Sequence, residues 1–288
     1  MGRGWLGGGE AIGQNGRCDR AGLTMGETGE DVGPWRASTG VPAVKRATFG
    51  DLRGALAAGL SDFAAAPWWG LGVGAAYVAF GWALVAVTNS ATLDGLTFPL
   101  LGGFVMVAPF AATILYEISR RRALGLPFGL SHARAVVAGT AQRSLMLLGL
   151  VLVLWLGIWS RAAVFIYAIY FGINAPPFLE MLPELVSTER GLLFLFWGHV
   201  VGAAFAFVAY CLSAVSFPFL LDRDADFATA IITSFKTVLA SPVVMLSWAV
   251  LLGVVMTAAA APAFLGFLVA LPVLGHATWH LYRRLVGE

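Results

Sequence analysis

The sequence predicts an all-α, polytopic membrane protein: six transmembrane helices built as three repeated units, each an interfacial amphipathic helix followed by a two-span hairpin. Three observations predict it. Of 288 residues, 59% are hydrophobic and 12% charged, with a mean hydropathy of +0.81, whereas charged residues run near ~25% in soluble domains. Apolar stretches of about 20 residues, the length that crosses a bilayer, recur along the chain. The chain also matches itself at fixed offsets.

The first 48 residues differ in kind. They are rich in Gly and polar residues and lack a sustained apolar period, which predicts a disordered segment. The 7 to 15 residue apolar core of a signal peptide is missing. A start codon read too early, with translation beginning at Met25 or later, and a functional tail fit the segment equally. Residues 49–288 form the predicted membrane domain. The formal charge of +2 provides no basic face for nucleic acid. Cys18 and Cys211 alone make neither a disulfide framework nor a thiolate metal set.

The six predicted spans cover 67–88, 98–118, 144–160, 192–215, 242–261 and 262–281. The last two are one apolar stretch of nearly twice span length, with Pro262 offering a turn and a new helix start. Orientation follows from the positively charged loops, which stay cytoplasmic. Lys45, Arg46, Arg53, Arg120, Arg121, Arg122, Arg134, Arg143, Arg223, Lys236, Arg283 and Arg284 fall on one side, against Arg161 and Arg190 on the other. Both termini are therefore expected in the cytoplasm. Reporter fusions at Gly125 and Glu288 should read cytoplasm and one at Asp94 periplasm, and the reverse pattern would overturn the charge argument.

Between spans three and four, residues 160–190 join "AAVFIYAIYFG", too short to cross, to a Pro-broken acidic piece with Glu180, Glu184 and Glu189. The apolar piece is expected to lie in the interface or to fold back part-way. Arg161 reads as the stop of span three, snorkelling to headgroups.

The repeat pairs "DLRGALAAGLSDFAAAP" (51–67) with "DFATAIITSFKTVLASP" (226–242), and 99–121 with 262–284, while 131–147 repeats the first frame more weakly. Leu52, Leu56, Leu60 and Phe63, like Phe227, Ile231, Phe235 and Val238, recur at helical spacing. Each set predicts an apolar face on a helix in the interface plane. In the second pairing Pro109 meets Pro272, Tyr116 meets Trp279, and Thr113 and Glu117 meet His276 and His280. Trp279 and Tyr116 then read as aromatic-belt residues. Arg120, Arg121, Arg122, Arg283 and Arg284 read as interfacial basic anchors.

Ionisable residues within spans are the functional candidates, because a charge at the bilayer centre costs about 2.5 to 3.5 kcal/mol. These are His199 in span four, Glu117 near the end of span two, and the i, i+4 pair His276 and His280. One reading makes them packing glue and interface pairs, with Glu117 bound to Arg120, Arg121 or His280. The other makes them a proton or ligand path. An i, i+4 histidine pair can also face a haem iron, but no partner ligands or second-shell acceptors are identifiable. The chain contains no phosphate-binding Gly loop, HExxH or GxSxG, so neither enzyme chemistry nor a metal or other cofactor is expected.

At "DLRGALAAGLSDFAAAPWWGLGVGAAY", "FPLLGGFVMVAPFAATILYEISRRRALGLP" and "LPVLGHATWHLYRR" the chain resembles domain-of-unknown-function family 2189, bacterial predicted integral membrane proteins, over about residues 45 to 286. The resemblance implies a polytopic inner-membrane protein; some members carry a cytochrome c oxidase subunit label. A catalytic haem-copper subunit needs six histidines, and this chain has four, His132, His199, His276 and His280. The expectation is a non-catalytic accessory or scaffold component in contact with lipid and with other integral membrane subunits, possible respiratory ones included. A small-solute or lipid transporter and a haem-binding redox subunit are the alternatives.

Overall fold

A computed structural model describes residues 40–90, 97–139, 141–172 and 178–286, all within one compact unit, Arg36–Glu288. Residues 1–39, Asp94, the side chain of Glu180 and Glu288 lie outside the described residues. The end of the predicted disordered segment is tied down: Val44 bridges antiparallel to Val286, and the Lys45 N–H donates to the Leu285 carbonyl at 2.7 Å.

Eleven helices follow among the described residues: α1 Phe49–Ala65, α2 Pro67–Ser90, α3 Thr97–Ala123, α4 Leu130–Ala138, α5 Gln142–Phe171, α6 Phe178–Ser187, α7 Glu189–Ser213, α8 Ser216–Asp222, α9 Phe227–Ala240, α10 Pro242–Ala260 and α11 Phe267–Leu285. Five stretches are long and apolar enough to cross a membrane: Pro67–Val87, Gly102–Ala123, Gln142–Phe171, Glu189–Asp222 and Pro242–Ala260. They overlap the first five predicted spans. The stretch predicted as the sixth behaves differently. Pro262 opens a turn rather than a helix, with Ala263 and Phe264 at φ of 51° and 67°, and α11 begins only at Phe267 with two histidines and two arginines in its second half.

Two features of the repeat are visible in the backbone. Ala66 (φ −134°, ψ 53°) and Ser241 (φ −149°, ψ 64°) adopt the same kinked conformation, because each precedes a proline that disfavours the α region. Pro67 and Pro242 then open α2 and α10 where a missing N–H costs nothing. Pro109 and Pro272 both lie inside their helices.

The loop expected at 160–190 is in its first part a helix. Residues 142–171 run on as 30 helical residues, roughly 45 Å at 1.5 Å per residue, which exceeds a hydrocarbon core of about 30 Å. No Pro or Gly interrupts the segment from Ile158 until Gly172, whose φ of 78° ends it. Arg161 therefore sits exposed inside α5, and the helix continues past it to Phe171.

Burial centres on α11, where Phe267, Leu271, Leu274, His276, Trp279, Leu281, Tyr282 and Leu285 are all enclosed. α1 packs on its second half, α2 on its first, and α3 alongside. The three amphipathic helices follow one rule: α4 leans on α3, α9 on α7 and α1 on α11. Each touches the second long helix of the preceding unit, and the contact of α1 with α11 closes the ring.

The inward faces of α1 and α9 are built largely of small and hydrogen-bonding residues, with only Leu52 and Val238 of the periodic apolar sets fully buried among them. α1 buries Leu52, Ala55, Gly59 and Asp62, while Leu60 is 56% exposed. α9 buries Ala230, Thr233, Ser234, Thr237 and Val238. Small and hydrogen-bonding residues let helices approach closely, and larger apolar ones can face an apolar surrounding at no cost.

Candidate functional site

A close backbone approach between α1 and α11 is set by Gly59. A Cβ there would stand 2.6 Å from the Ala277 nitrogen and 2.8 Å from its Cα, so only glycine lets α1 lie against the α11 backbone. That contact carries Asp62, one turn on, into the space between α3 and α11. Asp62, Ser119 and His276 are 6%, 0% and 0% exposed.

A hydrogen-bonded joint results. Ser119 Oγ donates to Asp62 Oδ2 at 2.6 Å and lies 2.8 Å from His276 Nδ1. His280 Nε2 donates to the same Asp62 oxygen at 2.7 Å. Arg122 Nη1 lies 3.3 Å from Asp62 Oδ1 and donates to the Ser61 carbonyl at 2.8 Å. A serine hydroxyl has one hydrogen, and here the carboxylate takes it. The shared bond therefore assigns a proton to His276 Nδ1 and leaves Nε2 an acceptor, buried and without a partner. Burial works to raise the Asp62 carboxyl, but the hydrogen bonds from His280 and Ser119 and the nearby imidazole charge outweigh it, holding the group below the usual carboxylate range.

The remaining sequence candidates surround this joint or stand apart. Glu117 accepts a bidentate pair from Arg120, at 2.7 and 2.9 Å, with Arg121 3.8 Å away. Arg121 Nε also donates to the Pro127 carbonyl at 2.7 Å. Arg283 pairs with Asp222 at 2.8 Å, and Arg284 lies 3.9 Å from Asp51. The anchors thus tie helix ends and loops to one another. Trp279 and Tyr116, expected in an aromatic belt, are 1% and 4% exposed because α11 runs through the interior. His199 is remote from all of these. It is exposed on α7, and its Nδ1 donates to the Leu195 carbonyl of its own helix at 2.6 Å.

The chemistry open to the joint is limited by its hydrogen-bond directions. Ser119 gives its proton to the Asp62 carboxylate while His276 donates to Ser119, so the imidazole is a donor here and not the base of a serine–histidine pair. An axial haem ligand needs a ring nitrogen facing a macrocycle-sized space. His276 is enclosed, with α1 pressed against its neighbour Ala277, and His280 Nε2 is bound to Asp62. The arrangement is suited to fixing the register of three helices.

On the opposite face of α11, Leu271, Leu274, Gly275 and Thr278 line a cavity of about 540 Å³ shared with α3, α5, α7 and α10. It does not include any joint residue.

Sequence reasoning missed Asp62, Ser119, Asp222 and Tyr282, whose hydroxyl donates to Asp222 Oδ2 at 2.7 Å. The available signal for Asp62 was the small pair Ala55 and Gly59, set four residues apart with Gly59 three before Asp62, marking a close-packed face.

The family described as predicted integral membrane protein (DUF2189) matches residues 97–222, which run from α3 to α8. That match holds Glu117, Ser119, Arg120, Arg121, Arg122 and His199 but neither α1 nor α11. No curated protein and no solved structure gives a significant match. With the five membrane-length apolar stretches, the match shows an integral membrane protein in contact with lipid, and it specifies no activity.

Proposed function

We propose that this integral membrane protein acts by association rather than by chemistry, as an accessory or scaffold component that packs against other membrane subunits through α7, in a bacterial inner membrane with both termini cytoplasmic. His199 carries the reading. It lies near the middle of a membrane-length helix and faces outward, where an imidazole nitrogen in hydrocarbon is costly unless hydrogen-bonded. The Leu195 carbonyl occupies Nδ1, and Nε2 points away from that bond. A neighbouring helix supplies the missing partner in this reading. Gly198 stands beside His199 on α7 with open space where a Cβ would be, so a second backbone can come close.

Purification from the native membrane in mild detergent is expected to bring membrane subunits at fixed stoichiometry. His199→Leu should weaken their retention by about 1–2 kcal/mol, roughly tenfold, as for an interhelical hydrogen bond in lipid. Recovery of a solitary protein, or unchanged retention by the variant, would overturn the reading. A Soret band in the same sample, lost when His280 is replaced, would replace it with the redox alternative.

A further inference from the structure

We propose that the cavity enclosed by α3, α5, α7, α10 and α11 is a lipid site that holds one acyl chain of a bilayer phospholipid. The inference is independent of the association proposed through α7.

The walls are built from small residues on four helices, among them Gly102, Ala112, Ala206, Gly253 and Gly275. Such residues ordinarily allow helices to close on one another. Here the closure is blocked by struts. At one end Leu156 and Trp159 of α5 press on α3, 2.8 and 3.1 Å from where a Gly102 Cβ would stand. Nearer the Arg-rich end Phe110 fills the notch at Gly149, 2.6 Å from the equivalent point. Trp155 Nε1 donates to the Phe205 carbonyl at 3.0 Å, which binds α5 and α7 into one leaf. α7 joins the body through α5, α8 and α9 rather than by close packing on α3 or α11.

The chemistry of the lining selects the occupant. Among the described residues no charged side chain lines the cavity, which disfavours ions and anionic or sugar solutes. Tyr210, Ser213 and Thr278 each spend their hydroxyl hydrogen on a backbone carbonyl, of Met245, Ala209 and Leu274 respectively. Water needs two to four polar partners to be held, and this surface is short of donors. A void of about 540 Å³ would forfeit packing on every wall, and it falls in the size range of ordinary ligand pockets. The lining residues of α3, α5, α7 and α10 belong to membrane-length helices, so the solvent that reaches them is acyl chain. Hydrocarbon meets each requirement: it is neutral, it needs no donor, and it is the surrounding medium.

The test is photolabelling of the full-length protein in nanodiscs of phosphatidylethanolamine and phosphatidylglycerol, doped with phosphatidylethanolamine bearing a diazirine at mid-chain. Adducts of phospholipid mass are expected on the walls, at 108–112 and 202–209, as well as on outward residues such as Val153 and Phe165, which are 63% and 66% exposed. Ala206→Phe, which fills the cavity from α7, should lower the wall adducts several-fold and leave the outward ones unchanged. Gly253→Leu fills it from α10 and serves if the first variant does not fold. Adducts confined to outward residues, adducts of free fatty acid alone, or wall adducts undiminished by a folded filling variant would each overturn the proposal.

Discussion

Asp62→Ala is expected to destabilise the protein by about 3–5 kcal/mol, the cost of removing one partner from a buried hydrogen-bonded ion cluster. The loss arises from what the substitution strands. Ser119 and His280 lose their acceptor, Arg122 loses its nearest carboxylate, and a buried polar group without a partner costs more than the bond was worth. Arg122 is partly exposed and can turn to water, so most of the penalty falls on the other two. Asp62→Asn should cost less, because the amide oxygen still accepts from one donor. Thermal unfolding in detergent, followed by loss of the monodisperse peak, reads the difference.

The same carboxylate fixes the sign of a pH effect. Its folded-state pKa lies below the ordinary value of 3.8, so its contribution is present above that value and disappears as pH falls through the folded pKa. The stability gap between the wild type and Asp62→Asn should therefore be constant between neutral pH and about pH 5, and shrink only below 3.8. A gap that opened or closed near neutrality would show that another group dominates the joint.

Gly59→Val is the second large effect, about 3 kcal/mol or more, at the upper end of overpacking costs. The new Cβ would meet the nitrogen and Cα of Ala277 as well as its side chain. Trimming that side chain with Ala277→Gly should therefore not rescue the variant, since the backbone atoms remain. Gly72→Ala, on α2 with no atom within 4 Å of the new methyl, should change little. Equal behaviour of the two glycines in the same unfolding assay would refute the close approach of α1 to α11.

The parts of this architecture that were legible in the sequence depend on local signals. Span-length apolar runs located α2, α3, α5, α7 and α10, and the matching Pro67 and Pro242 of the repeat mark where α2 and α10 begin. Arg161 reads as the end of a span because a charge is expensive in lipid, but it does not end the helix: no helix breaker stands beside it and α5 runs on to Phe171. On α1 and α9 periodicity marks the large apolar residues for the interface, while the faces packed inward are largely small and hydrogen-bonding ones, which periodicity does not single out. The joint was illegible for a different reason: Ser119 and His280 are 57 and 218 residues from Asp62, and nothing in helical periodicity connects them.

The ring of helices has a consequence for synthesis. α1 leaves the ribosome well before its main partner, α11, so the buried carboxylate waits for that helix to be made. Until then Asp62 sits on an amphipathic helix free to keep its charge in water. Only after α11 has emerged can the glycine face of α1 dock and carry the carboxylate inside. Contacts of such sequence separation form late and slowly, and a chain cut short before Phe267 would leave α1 with no surface to close on. α1 thus reports on the presence of α11, and chains that lack it remain distinguishable, by an undocked end, from those that have it.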